Sequence, residues 1–223
     1  MDGIFVTGTD TGIGKTTVSA GLLKLLYGYK KVAYWKPVQT GTVIGDDTHD
    51  VRELTELGED AYLAPEVRFA DPVAPYEAAK KWKQTINLDA LTQRFREHAR
   101  DRFVIVEGAG GLLVPMTETE LQDTFIRKLG IPALIVAADQ LGSINHTLLT
   151  INQCRASGIE ILGVVLSRSG HGNAMGNKAS IERYTNVKVL AELTEQNDRR
   201  AVVAAVSAHP VLRKLFGVAE LPE

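Results

Sequence analysis

A glycine-rich segment close to the start of the chain has the residue types of a phosphate-binding loop. It runs from Gly8 to Thr16 and reads Gly-Thr-Asp-Thr-Gly-Ile-Gly-Lys-Thr. Glycines allow backbone N–H groups to turn toward phosphate oxygens, and a following helix adds the positive end of its dipole. Lys15 can reach the β- and γ-phosphates, and the Thr16 hydroxyl can bind a Mg²⁺ that bridges them. The segment therefore predicts a nucleoside triphosphate site.

The predicted nucleotide contacts extend into the helix that follows the loop. Gly8 and Gly14 are separated by one residue more than in the usual pattern. The residues expected to contact the triphosphate are Asp10, Thr11, Gly12, Ile13, Gly14, Lys15, Thr16 and Thr17.

Acidic residues at two other places could complete a metal site, because Mg²⁺ held by one hydroxyl needs carboxylate or water ligands. Glu107 follows an apolar strand, at the end where ligands gather in open α/β sheets. A second carboxylate is expected within residues 46–50, Asp-Asp-Thr-His-Asp. Each of these acidic side chains could instead cap a helix or lie in solvent.

Lys36 ends the second predicted strand and is followed by Pro37. A lysine at the carboxyl end of a strand can stabilise the negative charge that develops during phosphoryl transfer. The alternative for Lys36 is an ordinary exposed lysine.

The elements that position these residues follow an alternating pattern of short apolar runs and longer segments of helical period. Predicted strands cover 4–7, 32–35, 103–106, 132–137, 161–166 and 187–190, and predicted helices cover 15–27, 49–57, 88–100, 119–129, 144–157 and 199–216. Residues 167–177 are rich in Gly, Ser and Asn and predict a mobile loop. The pattern indicates the α/β class, with a doubly wound, mostly parallel sheet in a three-layer sandwich like that of P-loop NTPases. We expect residues 1–223 to form a single nucleotide-binding catalytic domain.

Composition narrows the possible partners. The net charge of -2 and the pI near 6.2 give no reason to expect nucleic-acid binding. We expect no membrane partner, because no apolar run approaches the roughly 20 residues that span a bilayer. Residues 1–4 lack the basic start of a secretory signal, and the single cysteine, Cys154, suits the reducing cytoplasm, where we expect the protein. We interpret Cys154 as a small core residue, not a nucleophile.

Taken together, the segments resemble the dethiobiotin synthetase family. The resemblance rests on residues 6–16 with their unusual glycine spacing, 36–41, 106–112 and 142–149, and more weakly on 72–79. These blocks follow the family order over roughly three-quarters of the chain. The combination is highly specific, although the nucleotide loop alone is not.

The resemblance implies a ligase that uses ATP as a co-substrate, with Mg²⁺, to convert 7,8-diaminononanoate and CO₂ to dethiobiotin, ADP and phosphate. In this family one substrate amine captures CO₂ as a carbamate. The carbamate oxygen then attacks the γ-phosphoryl group to give a carbamic-phosphoric mixed anhydride, and the neighbouring amine closes the ring. The family also implies a homodimer with active sites at the subunit interface.

The resemblance implies roles for particular residues of this chain. Thr16, Asp50 and Glu107 would hold the metal, with Asp47 as the alternative to Asp50 because this loop is shortened. The catalytic residues would be Lys36, Lys15 and Thr11, which would face the carbamate together with Thr40. The remaining substrate contacts would be Gly110 and Gly111 and, from the other subunit, Ser143, Ile144 and Asn145 at a helix N-terminus suited to a carboxylate.

The chain departs from the family where the nucleotide base would bind. Many relatives carry an asparagine that recognises adenine at the position of Ser167, and a proline where residues 192–194 read Glu-Leu-Thr. A hydroxyl cannot present the paired donor and acceptor of an amide. We therefore expect weaker discrimination among bases than in asparagine-containing relatives. The discrimination is measured by comparing turnover with ATP, CTP and GTP. A strict requirement for ATP would contradict this expectation.

Two other classes of P-loop protein share the nucleotide loop. Regulatory or positioning ATPases of the deviant P-loop group usually carry an extra lysine early in the loop, where this chain has Asp10 and Thr11. The synthetase part of a cobalamin-pathway amidating enzyme would require a glutaminase domain with a nucleophilic cysteine. The positioning ATPase remains the alternative function.

Overall fold

The computed structural model describes residues 2–167, 176–194 and 198–219. The strands are β1 (Gly3–Gly8), β2 (Val32–Trp35), β3 (Val38–Gln39), β4 (Tyr62–Leu63), β5 (Val67–Arg68), β6 (Phe103–Gly111), β7 (Ala133–Ala138), β8 (Ile161–Ser167) and β9 (Val189–Leu193). The α-helices are α1 (Lys15–Tyr27), α2 (Asp47–Thr55), α3 (Pro75–Trp82), α4 (Leu88–His98), α5 (Gln122–Leu129), α6 (Ser143–Ala156), α7 (Asn177–Thr185), α8 (Arg199–Ala208) and α9 (Pro210–Leu215), and Glu59–Ala61 form a 3-10 turn.

In the described residues, seven strands form one parallel sheet in the order β4-β2-β6-β1-β7-β8-β9. The short strands β3 and β5 pair separately, also in parallel. β1 is central and every one of its residues is buried. Its neighbours β6 and β7 carry continuous apolar runs, which is typical of parallel strands covered by helices on both faces.

Helices cover both faces of the sheet and create two apolar cores. One core packs α1, α2, α8 and α9 against the sheet, and the other packs α3 to α7 against the opposite face. The three layers confirm the predicted α/β class. Cys154 belongs to the second core, where burial raises the pKa of its thiol to about 12, as expected of a small core residue.

The topology brings several loops to one place. Because all seven strands are parallel, the loops that follow β1, β2 and β6 leave the sheet at the same edge. β1 lies between β6 and β7, where the strand order changes direction, and ligands bind at such switch points in open α/β sheets. The fold therefore predicts a site around the carboxyl end of β1.

Most predicted elements are confirmed within a few residues, and α1 and β2 have the predicted bounds. The 167–177 segment differs from the prediction at both ends. Ser167 is the last residue of β8, and Asn177 begins α7, a helix that the sequence analysis did not identify. Residues 168–175 lie outside the described part, so the predicted mobility of that stretch is not tested.

The sequence analysis was also wrong about two helical regions. The single helix predicted for 199–216 is two helices, because Pro210 cannot donate a backbone hydrogen bond and begins a new helix after the extended residue His209. α3 was missed; it begins with Pro75 in its first turn and buries Ala78 and Ala79.

None of the helices in the described residues is both long and apolar enough to cross a membrane.

Candidate active site

The phosphate-binding loop connects β1 to α1, as predicted. Gly14 precedes the helix with φ +96°, a left-handed conformation that glycine adopts without strain. A Cβ atom at Gly14 would lie 2.8 Å from Oγ of Ser167, so a side chain here would displace the Ser167 hydroxyl. The backbone N–H of Thr9 donates to the carbonyl of Val136 in β7 at 3.0 Å. These contacts hold the loop at the carboxyl edge of the sheet.

Lys15 is buried, with 6% of its surface exposed. Its Nζ donates to the backbone carbonyl of Asp10 at 2.8 Å, which holds the ammonium across the loop. Burial lowers the pKa of Lys15 to about 8; Glu107 opposes this change and the charge of Lys36 reinforces it. A buried cation of this kind is stabilised by an anionic ligand.

Thr16, Asp47 and Glu107 bring three oxygen atoms together beside the loop. Oγ1 of Thr16 lies 2.7 Å from Oδ1 of Asp47 and 3.0 Å from Oε1 of Glu107. Threonine has one hydroxyl proton, so it can donate to only one of these carboxylates at a time. The group therefore has an excess of oxygen acceptors, an arrangement that attracts a cation.

Lys36 supplies a positive charge to the two carboxylates. Its Nζ lies 2.6 Å from Oδ2 of Asp47 and 3.2 Å from Oε1 of Glu107. Burial alone would lower the pKa of Lys36, but the two carboxylates together raise it above its usual value. Burial alone would raise the pKa of Asp47, but the charge and hydrogen bond of Lys36, with a hydrogen bond from Thr16, together lower it. Lys36 is thus a buried, charged residue of the site, not an exposed lysine.

Asp47, not Asp50, contacts Thr16 and Lys36. Asp50 instead forms an ion pair with Arg199 of α8, whose Nη1 lies 2.8 Å from its Oδ2. The resemblance favoured Asp50 as the metal ligand, whereas these contacts favour the alternative, Asp47. The cause is the start of α2: Asp46 caps the helix by accepting from the N–H of His49, which makes Asp47 its first residue.

The donor set around Thr16 fits a Mg²⁺ ion that is shared with a nucleotide. Hydroxyl and carboxylate oxygens are ligands that Mg²⁺ prefers, and the ammonium of Lys36 shows that a positive charge is stabilised at this place. In the described part of the chain, no cluster of three or more His, Cys, Asp or Glu side chains could hold a metal. Phosphate oxygens and water would have to supply the remaining ligands.

A cavity of about 460 Å³ opens beside this charged group. Its polar lining comprises Lys15, Thr16, Lys36, Asp47 and Glu107, together with Thr11, Gly12, Gly14, Thr40 and Gly110. The rest of its wall is largely apolar and comprises Ile44, Pro72, Val73, Ala74, Pro75 and Val114. The cavity is therefore lined by both charged and apolar side chains.

Several of the predicted contacts lie outside that cavity. Ile13 is buried in the core beneath the loop. Thr17 is buried in α1, with Nε of Arg199 3.4 Å from its hydroxyl. Asp10 and Gly111 line a second cavity, of about 370 Å³, between the phosphate-binding loop and α6.

The predicted carboxylate site at the start of α6 does not line the first cavity either. Ser143 is buried and its Oγ has no hydrogen-bond partner in the described structure, whereas Asn145 is exposed and Ile144 is half-buried. Gly142 precedes them with φ +90° and begins the helix. The start of α6 therefore reaches the surface at Asn145, next to the second cavity, which His146 lines.

Ser167 lies at the end of β8, directly against Gly14 of the phosphate-binding loop. Its carbonyl accepts from the N–H of Asp139 at 2.8 Å, and Asn177 donates to Oδ1 of Asp139 at 2.6 Å. The position predicted to recognise the base is thus next to the nucleotide loop. Its hydroxyl is short and largely buried.

The sequence analysis missed two glutamines that hold the site together. Oε1 of Gln39 accepts from the N–H of Asp47 at 3.1 Å and so holds the first residue of α2. Gln122 is fully buried; it accepts from the N–H of Ala109 at 2.8 Å and donates to the carbonyl of Gly111 at 3.0 Å. It therefore fixes the glycine segment that follows Glu107.

A third missed residue is Tyr34 in β2, whose side chain is fully buried. Its hydroxyl donates to Oε2 of Glu107 at 3.0 Å. Burial, with the charge of Glu107, raises the pKa of Tyr34 well above its usual value, so the phenol remains a donor. The signal in the sequence is a polar hydroxyl within an apolar strand, two residues before Lys36.

Comparison with solved structures places the fold among P-loop proteins. A cell-division ATPase MinD from Pyrococcus furiosus has a TM-score of 0.60 at 19% identity, over 97% of this chain and 99% of that one. The MinC:MinD complex from Aquifex aeolicus has a TM-score of 0.60 at 14% identity, over 100% of this chain and 99% of that one. At such low identity these likenesses show the fold alone.

Sequence comparison identifies the family. The model of a family described as AAA domain matches residues 2–201. An ATP-dependent dethiobiotin synthetase from Paramagnetospirillum magneticum is 41% identical over 86% of this chain and 88% of its own length. A second, from Bacillus licheniformis, is 38% identical over 89% of this chain and 88% of its own length. This chain therefore belongs to the family of ATP-dependent dethiobiotin synthetases.

Proposed function

We propose that the chain catalyses the ATP-dependent formation of dethiobiotin from 7,8-diaminononanoate and CO₂, with release of ADP and phosphate. Membership of the family gives the overall reaction. The observation that supports the site is the convergence of Lys15, Lys36 and the Thr16–Asp47–Glu107 group on one cavity. Residues 1–223 would act as one catalytic domain, and the use of ATP in biosynthesis supports a cytoplasmic location.

The two buried lysines address the main electrostatic difficulty of this reaction. The carbamate and the triphosphate are both anionic, so they repel each other unless positive charge lies between them. Lys15 and Lys36 both line the cavity and are each 6% exposed, which strengthens their interaction with anions. Backbone N–H groups of the loop and the hydroxyls of Thr11 and Thr40 would orient the reacting groups.

The chemistry would proceed in three balanced steps. The amine nitrogen of the substrate forms a bond to the carbon of CO₂ and loses a proton, which gives the carbamate. A carbamate oxygen forms a bond to the γ-phosphorus as the bond to the β–γ bridging oxygen breaks, which releases ADP. The second amine attacks the carbamate carbon, phosphate leaves with the electron pair of the C–O bond, and the amine loses its proton as the ring closes.

Thr16, Asp47 and Glu107 would hold a Mg²⁺ together with oxygens of ATP. When bound, the ion would neutralise charge on the β- and γ-phosphates. Lys36 now neutralises the same two carboxylates, with Nζ 2.6 and 3.2 Å from them. Lys36 also lines the cavity, so its ammonium would act on the transferring phosphoryl group.

The apolar wall of the cavity suits the alkyl chain of the substrate. Ile44, Pro72 and Val114 face the same space as the lysines, so the diamine end and the chain can be accommodated together. Burial of a methylene group contributes about 0.8 kcal/mol, so the wall would contribute to binding without affecting charge.

The active site would be completed by the second subunit of a homodimer. The start of α6 is at the protomer surface, and Ser143 keeps a buried hydroxyl without a partner there. Leu113, Leu141 and Leu149 lie near the second cavity or the start of α6 and are 48%, 87% and 60% exposed. These exposed leucines would be buried if a second subunit packed against this region. The partner's α6 N-terminus would bind the substrate carboxylate.

The test of the reaction is release of phosphate from ATP with diaminononanoate and bicarbonate supplied separately and together. We expect phosphate release only when both substrates are present. Mass spectrometry should then detect dethiobiotin in an amount equal to the phosphate released. ATP hydrolysis without the diamine would favour the alternative function, a positioning ATPase.

Two matched variants distinguish the candidate metal carboxylates. We expect Asp47→Asn to raise the Mg²⁺ concentration needed for half-maximal activity by on the order of tenfold, because Asp47 contacts Thr16 and Lys36. Asp50→Asn makes the same chemical change one turn later in α2. It should change the Mg²⁺ concentration needed for half-maximal activity by less than twofold. The measurement is initial rate against Mg²⁺ concentration at fixed ATP. A larger shift for Asp50→Asn would restore Asp50 as the ligand.

A further inference from the structure

Tyr34 donates a hydrogen bond to one of the two carboxylate oxygens of Glu107. Register pairs Tyr34 in β2 with Ile105 in β6, so its side chain lies on the same face of the sheet as Glu107, two residues further along. From there the phenol reaches Oε2 of Glu107 at 3.0 Å. Both side chains are almost completely buried, with 0% and 1% of their surfaces exposed.

The other oxygen of Glu107 faces the candidate metal site. Oε1 lies 3.0 Å from Oγ1 of Thr16 and 3.2 Å from Nζ of Lys36. The carboxylate therefore has a divided environment, in which Oε1 contacts the site and Oε2 contacts a neutral phenol behind it. Rotation of the carboxylate would break the Tyr34 hydrogen bond and leave a buried hydroxyl without a partner, which costs about 1–3 kcal/mol.

We propose that Tyr34 is a positioning residue that restricts Glu107 to offering a single oxygen, Oε1, to the bound cation. The inference rests on the metal site proposed above and adds a reason for its choice of ion. Mg²⁺ is small and takes one oxygen from each carboxylate while keeping water ligands, whereas Ca²⁺ is larger and readily accepts both oxygens of one carboxylate. A phenol on Oε2 therefore favours Mg²⁺ over Ca²⁺.

The experiment compares nucleotide binding supported by the two ions. Tyr34→Phe removes only the hydroxyl, and binding of the non-hydrolysable analogue AMP-PNP is followed by calorimetry over a series of Mg²⁺ or Ca²⁺ concentrations. We expect the preference for Mg²⁺ over Ca²⁺ to fall by on the order of tenfold, the size of effect typical of residues that orient a metal ligand. Both affinities are measured on the same protein preparation, so their ratio does not depend on the fraction of protein that is folded.

Tyr62→Phe is the matched control, because Tyr62 is also a buried tyrosine whose hydroxyl is hydrogen-bonded, to Thr55 and Leu57, but away from the site. It should leave the ion preference unchanged. If Tyr34→Phe does not fold, Tyr34→Leu provides the same loss of the hydroxyl. If the folded Tyr34 variant has the ion preference of the wild type, the proposed role of Tyr34 is wrong, but the proposed metal site is not affected. Wild-type nucleotide binding that is independent of divalent cations would overturn both the proposed metal site and this inference.

Discussion

Lys36→Ala is expected to lower kcat by on the order of a thousandfold, at the upper end of the loss seen when a single transition-state donor is removed. The reason is position: the ammonium is buried and lines the cavity beside the phosphate-binding loop. Its charge would act on the transferring phosphoryl group, so AMP-PNP affinity should change only a few-fold. Single-turnover kinetics with diaminononanoate, bicarbonate and ATP measures the chemical step.

The same variant should also change stability, because Lys36 neutralises two carboxylates. Removing one partner of a buried ion pair leaves uncompensated charge and costs about 3–5 kcal/mol. We therefore expect a lower Tm for Lys36→Ala and a larger rise in Tm on addition of Mg²⁺ and AMP-PNP than in the wild type.

Lys31→Ala is the control for the loss of a lysine. Lys31 forms an exposed ion pair with Asp101, and surface pairs contribute about 0–1 kcal/mol. Both kcat and Tm should remain near the wild-type values. A kcat for Lys36→Ala within fivefold of the wild type, with the protein folded, would remove Lys36 from the mechanism.

The fold was predictable because its signals are local. Each buried strand is a short apolar run, and the glycine spacing before Lys15 predicts a strand–loop–helix connection without reference to the rest of the chain. Lys36 and Glu107 could be placed together because each follows a predicted strand, and the carboxyl ends of parallel strands share one edge of the sheet. The missed helices were short: α7 begins after a segment rich in Gly, Ser and Asn, and α3 begins with Pro75.

The choice between Asp47 and Asp50 could not be made from sequence. The two residues are three positions apart on α2, so either could face the phosphate-binding loop if the helix began elsewhere. In the structure Asp50 pairs with Arg199, which is 149 positions away in the chain, and this contact is not visible in the local sequence. Tyr34 was missed for a similar reason, since its partner Glu107 is 73 positions away on the neighbouring strand.

If the active site is shared between subunits, two nearly inactive variants should together form an active dimer. Asn145 is exposed at the start of α6, and Asn145→Asp places a negative charge where the substrate carboxylate would bind. Like charges brought together in a site cost several kcal/mol, so the KM for the diamine should rise by at least about tenfold. At a low diamine concentration both Asn145→Asp and Lys36→Ala would therefore be nearly inactive.

Mixing the two variants under conditions that exchange subunits should restore activity. In a mixed dimer, one active site receives Lys36 from one protomer and Asn145 from its partner, and is native. Random exchange gives half mixed dimers with one native site in two, so about one quarter of all sites should recover. Lys36→Ala mixed with the double variant Lys36→Ala, Asn145→Asp contains no native site and is the matched control. If mixing adds nothing to the summed activities while sedimentation shows exchanged dimers, Asn145 acts within its own protomer and the shared active site is wrong.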